Sequence, residues 1–323
     1  MFKDSKILVA GHTGLVGSAL LKALASKGYR NIIRRTHAEV DLTRQDAVER
    51  LFLEERPAYV FLAAGKTAGI LANRDYPADL FHANIAIQDH IFEASRIYDV
   101  RHVVFYGSSC AYPRECPQPI KEEYLLTGPI EETSDAYAAA KIAGLVACRR
   151  YNHQHKNGRF ISLVPNTIYG PHDHFDVQSS HVMAALIRKF HEARRDGQDR
   201  VVLLGSGNPV REFIYSDDVA EASIFAMENA ARLENGHYNI GSGTGHSIRQ
   251  IAELISSMVG YAGEILWDRD KPDGAPVKIL DSSRFRSLGW SPKISLDAGL
   301  RLTYQWFSAK MGNSPARAKS DSI

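Results

Sequence analysis

A short apolar run, Ile7-Leu8-Val9-Ala10, leads directly into the glycine-spaced turn G-H-T-G-L-V-G, and a helical apolar pattern follows without a break. No other feature restricts the fold as strongly. Gly11, Gly14 and Gly17 give a backbone that can turn sharply and be approached closely. His12, Thr13, Leu15 and Val16 complete the same turn, and Leu15, Val16, Ala19, Leu20, Ala23 and Leu24 then repeat at helical spacing. A helix that starts there offers free N–H groups and the positive end of its dipole to an anion. Strand, turn and helix in that order predict a pyrophosphate site.

The opening pattern recurs. Residues 31–33, 58–64 and 102–109 read as further strands, and helices are expected near 44–55, 77–97 and 134–153. Near-continuous apolar strands alternating with helices predict an α/β fold, a Rossmann-type doubly wound parallel sheet covered on both faces. Beyond Pro165 the regularity loosens. Helices near 180–195, 217–229 and 247–259 are separated by G-S-G-N-P, G-S-G-T-G and K-P-D-G loops, which suits a smaller mixed C-terminal substrate domain. A chain of 323 residues has room for two domains. The expected division is a dinucleotide-binding Rossmann domain over 1–165, to which a segment near 212–240 returns, a substrate domain over 166–310 and a disordered tail over 311–323.

Composition removes several classes of function. A net charge of +2 leaves no nucleic-acid footprint and no polybasic membrane patch. Three cysteines, Cys110, Cys116 and Cys148, fit neither a disulfide framework nor a metal site. The run at residues 7–10 is too short for a signal peptide, and no stretch is long and apolar enough for a membrane span. A reducing cytoplasm is the expected location, with no metal, nucleic-acid or membrane partner.

The end of the second strand selects the cofactor. Sites for NAD place a carboxylate there to hold the ribose 2′-hydroxyl. Here Arg34 and Arg35 stand instead, and two cations favour a 2′-phosphate, so NADP(H) is expected. Asp41 and Leu42 are expected to flank the adenine, and Ala63-Ala64-Gly65 to bring the third strand close to the ribose.

Tyr137 and Lys141 in S-D-A-Y-A-A-A-K are one helical turn apart and share a face. A free tyrosine titrates near ~10, and a neighbouring cation brings it closer to working pH. Ser108 and Ser109 close the fourth strand. The pattern predicts carbonyl reduction: Tyr137 supplies the proton, Lys141 tunes it and binds the nicotinamide ribose, and Ser108 holds the developing alkoxide.

Further motifs extend the pattern: G-S-S-C-A-Y-P, Y-A-A-A-K-I-A-G, Y-G-P-H-D-H-F, S-H-V, R-E-F-I-Y-S-D-D-V-A, K-P-D-G and L-G-W, in that order. Together they resemble the GDP-L-fucose synthases, a family of extended short-chain dehydrogenases/reductases, over about residues 5–308. The resemblance implies NADPH-dependent conversion of GDP-4-keto-6-deoxy-D-mannose to GDP-L-fucose, by epimerisation at C3 and C5 and reduction at C4. It implies that Ser108, Tyr137 and Lys141 form the reductive triad, and that Cys110 and His181 are the epimerisation base and acid. Pro165, Asn166, Thr167, Ile168 and His181 join the cofactor site by the same likeness, and Ser109, Asn166, Lys189, Leu204, Arg211 and Asp273 the site for a GDP-sugar. It also implies a homodimer joined through the two long helices that precede and contain Tyr137.

Three positions depart from the family pattern. Lys189 replaces an arginine, Leu204 replaces a tryptophan, and Asn166-Thr167 reverses the usual order. All lie on the substrate side, so a related GDP-4-keto-6-deoxy sugar such as a heptose stays open. Three further readings share the fold: a C4-reductase without epimerase activity, an NAD-retaining nucleotide-sugar 4-epimerase, and a catalytically silent scaffold.

Overall fold

The computed structural model describes residues 1–67, 69–176, 180–271 and 273–312. The chain runs through β1 (Ile7–Ala10), α1 (Leu15–Ser26), β2 (Ile32–Ile33), α2 (Gln45–Glu55), β3 (Tyr59–Leu62), α3 (Ile70–Asp75) and α4 (Pro77–Ile97). Next come β4 (His102–Tyr106), α5 (Asp135–His155), β5 (Phe160–Pro165), β6 (Thr167–Tyr169), α6 (Val182–Arg195), β7 (Arg200–Leu204), β8 (Val210–Tyr215) and α7 (Ser216–Glu228). The chain then passes through β9 (His237–Ile240), β10 (Gly245–Ser247), α8 (Ile248–Val259), β11 (Glu264–Asp268), β12 (Val277–Lys278), α9 (Ser283–Arg286) and α10 (Leu296–Gly312).

Six strands form an all-parallel sheet in the order β2-β1-β3-β4-β5-β9. The direction of winding reverses between β1 and β3, and ligands bind such sheets outside the carboxyl ends of the strands at that point. Alternate residues of each strand feed two different cores. Ile7, Val9, Phe61, Val104 and Leu163 pack under α1 and α7, whereas Leu8, Val60, Val103, Phe105 and Val164 pack under α2, α4 and α5. Both faces are therefore dry, which is why these strands are apolar throughout rather than alternating. Each fully buried Leu or Phe contributes about 1.5–3 kcal/mol.

Late segments complete this sheet. α7 lies on α1 and buries Val219, Ala220, Ala222 and Ile224 in the first core, and β9 pairs with β5. Between β5 and α7, and again after β9, the chain builds a second assembly. β8 is flanked by β10, β12 and β6, and β7 pairs with β11. Its core brings Met183, Ile187 and Phe190 of α6 against Ile251 and Ile255 of α8 and Leu300 and Phe307 of α10. A capping box starts α8, where Ser247 Oγ accepts from Gln250 N at 3.1 Å and Gln250 Oε1 from Ser247 N at 2.9 Å.

Several elements differ from the sequence expectation: β3 stops at Leu62 rather than 64, and β5 and β9 were not expected as strands. The fourth strand stops at Tyr106 instead of reaching 109, because Gly107 fits between Leu145 and Val164 and the chain leaves the sheet. Ser109–Ala111 is instead one turn of 3₁₀ helix. The helix α10 continues through Gly312, so the first two positions of the expected tail are helical, and 313–323 lie outside the described residues.

Candidate active site

The glycine turn closes against the end of β3. Gly11 has φ +80°, and a Cβ there would lie 2.6 Å from Ala64 N. A Cβ on Gly17 would lie 2.1 Å from the Gly11 carbonyl oxygen. Only glycine fits either place. Gly14 is the N-cap of α1 and provides no side-chain cap, so the first-turn N–H groups remain available to an anion. His12 Nδ1 is buried in the same turn without a hydrogen-bond partner. An orphaned ring nitrogen beside an uncapped helix start fits a bound dinucleotide diphosphate. Thr13 is exposed and Leu15 and Val16 are half-buried around it. Ala63, Ala64 and Gly65 follow β3 directly.

The two arginines after β2 differ. Arg35 is paired with Glu55 and Nη1 donates to the Arg34 carbonyl. Arg34 is exposed and has no side-chain partner among the described residues. Asp41 is held by Thr43, through its N–H at 2.9 Å and its hydroxyl at 2.7 Å, which keeps the carboxyl below the usual range. The Leu42 carbonyl meets the His90 ring at 3.2 Å.

The reductive residues converge at the end of β4. Tyr137 and Lys141 lie on one face of α5, with Nζ 5.7 Å from the Tyr137 ring centroid. Lys141 is buried, donates to the Tyr106 carbonyl at 2.9 Å, and sits 3.8 Å from where a Cβ on Gly65 would be. Lys141 therefore lies between Tyr137 and the segment that follows β3. Burial lowers its pKa to about 8. Burial raises the Tyr137 pKa, with the Cys110 thiol adding to it and the hydrogen bond to Ser108 opposing it. The direction is opposite to the sequence expectation, because burial takes the phenol out of water and penalises its charged form. Ser108 Oγ also accepts from Cys110 N at 3.2 Å, which places Cys110 two residues past the serine in the short turn that Ser108 caps. Ser109 is buried beneath.

Arg211 carries the site toward the substrate side. It donates to the Ala275 carbonyl at 2.6 Å and to its neighbour Val210 at 2.8 Å. Burial lowers its pKa, and the negative fields of Cys110, Asp273 and Glu131 oppose that. Asp273 accepts from Ser206 N at 2.9 Å and Ser206 Oγ at 2.5 Å. Two residues before Ser206, Leu204 ends β7 at 66% exposure. Lys189 donates to the Val202 carbonyl of that strand at 2.6 Å.

One expected contact lies elsewhere. The Asn166 side chain faces inward: Nδ2 donates to Glu212 at 2.7 Å and to the Lys278 carbonyl at 3.2 Å, and Oδ1 accepts from Thr167 N at 3.0 Å. Its polar atoms are committed to the fold, while Thr167 and Ile168 beyond it are half-buried and Pro165 is buried. His181 is half-buried at the N-cap of α6. Burial and the nearby His174 lower its pKa, so the imidazole is neutral at pH 7. Beside it, burial pushes the Asp173 carboxyl up to about 7 while it accepts from His174 N at 2.7 Å. Among the described residues no hydrogen bond or ion pair joins His181 to Cys110 or Tyr137. Gly170, after β6, does come close to the glycine turn, since a Cβ there would touch Ser216 and lie 3.3 Å from Leu15.

Sequence reasoning missed Glu212. It is fully buried and accepts from Asn166, Gly243 N at 2.5 Å and Leu280 N at 2.8 Å, joining three separate segments. Its signal was a carboxylate inside the otherwise apolar strand R-E-F-I-Y, which demands buried partners. Asn84 was missed too: it ties α4 to the segment after β3 through the Lys66 carbonyl at 2.9 Å.

Residues 7–241 match the model of the NAD dependent epimerase/dehydratase family. GDP-L-fucose synthase 1 of Arabidopsis thaliana is 48% identical over 311 residues, covering 96% of this chain and 95% of that protein. GDP-L-fucose synthase of Escherichia coli is 46% identical over 310 residues, with 94% and 96% covered. Among solved structures, a GDP-mannoheptose C4 reductase of Campylobacter jejuni with NADP bound superposes with a TM-score of 0.87 at 37% identity, covering 95% of this chain and 99% of that one.

Proposed function

Because this chain belongs to the NAD dependent epimerase/dehydratase family and to the GDP-L-fucose synthases within it, we propose that it converts GDP-4-keto-6-deoxy-D-mannose to GDP-L-fucose with NADPH. The observation that carries this reading is the convergence of Ser108, Cys110, Tyr137 and Lys141 between the cofactor turn and Arg211. Arg34, the turn at Gly11–Gly17 and Lys141 hold NADPH, which supplies the hydride that C4 receives. Tyr137 gives its proton to the C4 oxygen, and its raised pKa keeps that proton in place until the oxygen becomes basic. Ser108 hydrogen-bonds the same oxygen and stabilises the negative charge there during both enolisation and reduction.

Cys110 and His181 exchange protons with C3 and C5, which are acidic because they flank the ketone. Arg211 supplies a positive field beside the thiol and, with Lys189, positions the diphosphate. Leu204 and Asp273 border the same substrate edge. The enzyme works in the cytoplasm, and no helix of the described residues is long and apolar enough to cross a membrane. It forms a homodimer through the outer faces of α4 and α5, where Phe81 is 43% exposed and Ala143 is uncovered.

The test is incubation with NADPH and GDP-4-keto-6-deoxy-D-mannose in deuterated water, with NMR assignment of the product. GDP-L-fucose labelled at C3 and C5 is expected. An unlabelled C4 alcohol reduces the proposal to a C4-reductase, and a lack of NADPH oxidation removes it. A second reading, a heptose in place of the hexose, is favoured by the open position at Leu204, and the same assay with the heptose nucleotide decides between them.

A further inference from the structure

Cys110 has no side-chain hydrogen bond among the described residues, and its place depends on what holds its short turn at each end. At the front, Ser108 follows β4, accepts from Cys110 N, and its carbonyl accepts from Ala111 N at 3.0 Å. At the back, Tyr112 follows the turn immediately and is 1% exposed. Its hydroxyl donates to Asn239 Oδ1 at 2.6 Å and lies 2.9 Å from His237 Nε2, so one phenol reaches two residues of β9.

The network has a single arrangement. Asn239 Nδ2 donates to the Ile120 carbonyl at 2.9 Å, which leaves Oδ1 as the acceptor. The tyrosine proton goes to that oxygen, so the His237 ring donates from Nε2 to the phenol oxygen. Asn239 is itself fixed, since its N–H donates to Glu122 Oε1 at 3.0 Å and it is fully buried. Burial and the cations Arg284 and Arg149 hold His237 at about 4, so the ring is neutral and the arrangement does not change across the working range. Burial also raises the Tyr112 pKa, which keeps the hydroxyl protonated as the donor.

We propose that Tyr112, anchored to β9 through Asn239 and His237, is a positioning residue for the Cys110 thiol and thereby controls epimerisation separately from hydride transfer. The asymmetry follows from the chain. Tyr137 and Lys141 are placed by α5, and Ser108 by its attachment to β4, whereas Cys110 lies between the two anchors. Releasing the rear anchor lets the thiol drift while the reductive group stays. The inference rests on the epimerase-reductase reading above.

Two half-reactions separate the steps. With NADP⁺ in place of NADPH, deuterium exchange into GDP-4-keto-6-deoxy-D-mannose reads the inversion chemistry alone. Transfer of hydride from GDP-L-fucose to NADP⁺ in a single turnover, followed at the nicotinamide absorbance, reads the reductive group alone. Tyr112→Phe keeps the ring and removes the hydroxyl. It should slow exchange by about tenfold or more and hydride transfer by less than about threefold, with KM and NADPH affinity unchanged. His237→Ala, which leaves the bond to Asn239, should give a smaller selective loss, and His237→Gln should restore exchange by returning a donor. If Tyr112→Phe does not fold, the His237 pair decides alone. Equal slowing of both half-reactions, or slowing of neither, overturns the assignment. Wild-type protein that incorporates no deuterium overturns the functional reading and the inference with it.

Discussion

At the scale of single residues, the site runs on burial as much as on charge. Lys141 has a pKa lowered from 10.5 to about 8 by burial, a difference worth roughly 3 kcal/mol of folding free energy at neutral pH. The sign is fixed: below pH 8 the ammonium is charged in both states and the folded state bears the cost, and above 10.5 it is neutral in both and the cost is gone. Lys141→Met should therefore abolish turnover yet raise the melting temperature at pH 7, and the gain should shrink as pH climbs from 8 towards 10.5. Loss of the bond to the Tyr106 carbonyl offsets about 1 kcal/mol of it. Scanning calorimetry across pH checks the trend. The arginines after β2 make a second case. Arg34→Ala should weaken NADPH binding by about tenfold or more and leave NADH unchanged, because it removes a charge-assisted contact to the 2′-phosphate. Arg35→Ala should do much less, since its guanidinium serves Glu55. Fluorescence titration with both cofactors distinguishes them. The residue types at 34 and 35 were legible in sequence, but the pairing of Arg35 was not, because only the folded chain brings Glu55 within reach.

At the scale of elements, local rules read well where periodicity is strong. The spacing of Tyr137 and Lys141 gave their shared helical face, and β1, β2, β3 and β4 were visible as apolar runs because both faces are covered, whereas β5 and β9 were not read as strands. Ends were less legible. Gly107 ends β4 for a packing reason that depends on Leu145 and Val164, which are far away in sequence. The inward turn of Asn166 likewise depends on Glu212, a carboxylate whose partners come from three separate segments. Helix α5 carries its own demand for close approach. A Cβ on Gly144 would lie 2.3 Å from Phe105 Cζ and 2.6 Å from Gln88 Oε1, where α5 meets the sheet and α4. Gly144→Ala forces those groups apart and should destabilise by about 1–3 kcal/mol in spite of the better helix propensity of alanine. Urea unfolding with an unchanged m-value would measure it.

At the scale of the whole molecule, α4 and α5 present Phe81, Ala139 and Ala143 outward beside the helix that holds Tyr137. Ala143→Glu places a charge on that face without touching the site. It should convert the proposed dimer to monomers in sedimentation velocity, and the monomers should keep NADPH binding. The path of the chain through the molecule has a further effect during synthesis. Strand β5 has one neighbour, β4, until β9 is made, and the face beneath α7 stays open until the same stretch leaves the ribosome. In between, the chain must lay down β6, α6, β7 and β8, which belong to the other assembly. Nascent chains that stop short of residue 240 thus carry a bare strand edge and an uncovered aliphatic surface, the two features that recruit other chains. Prematurely terminated products will be recovered from the insoluble fraction and with holdase chaperones, even when every residue of the glycine turn is already in place.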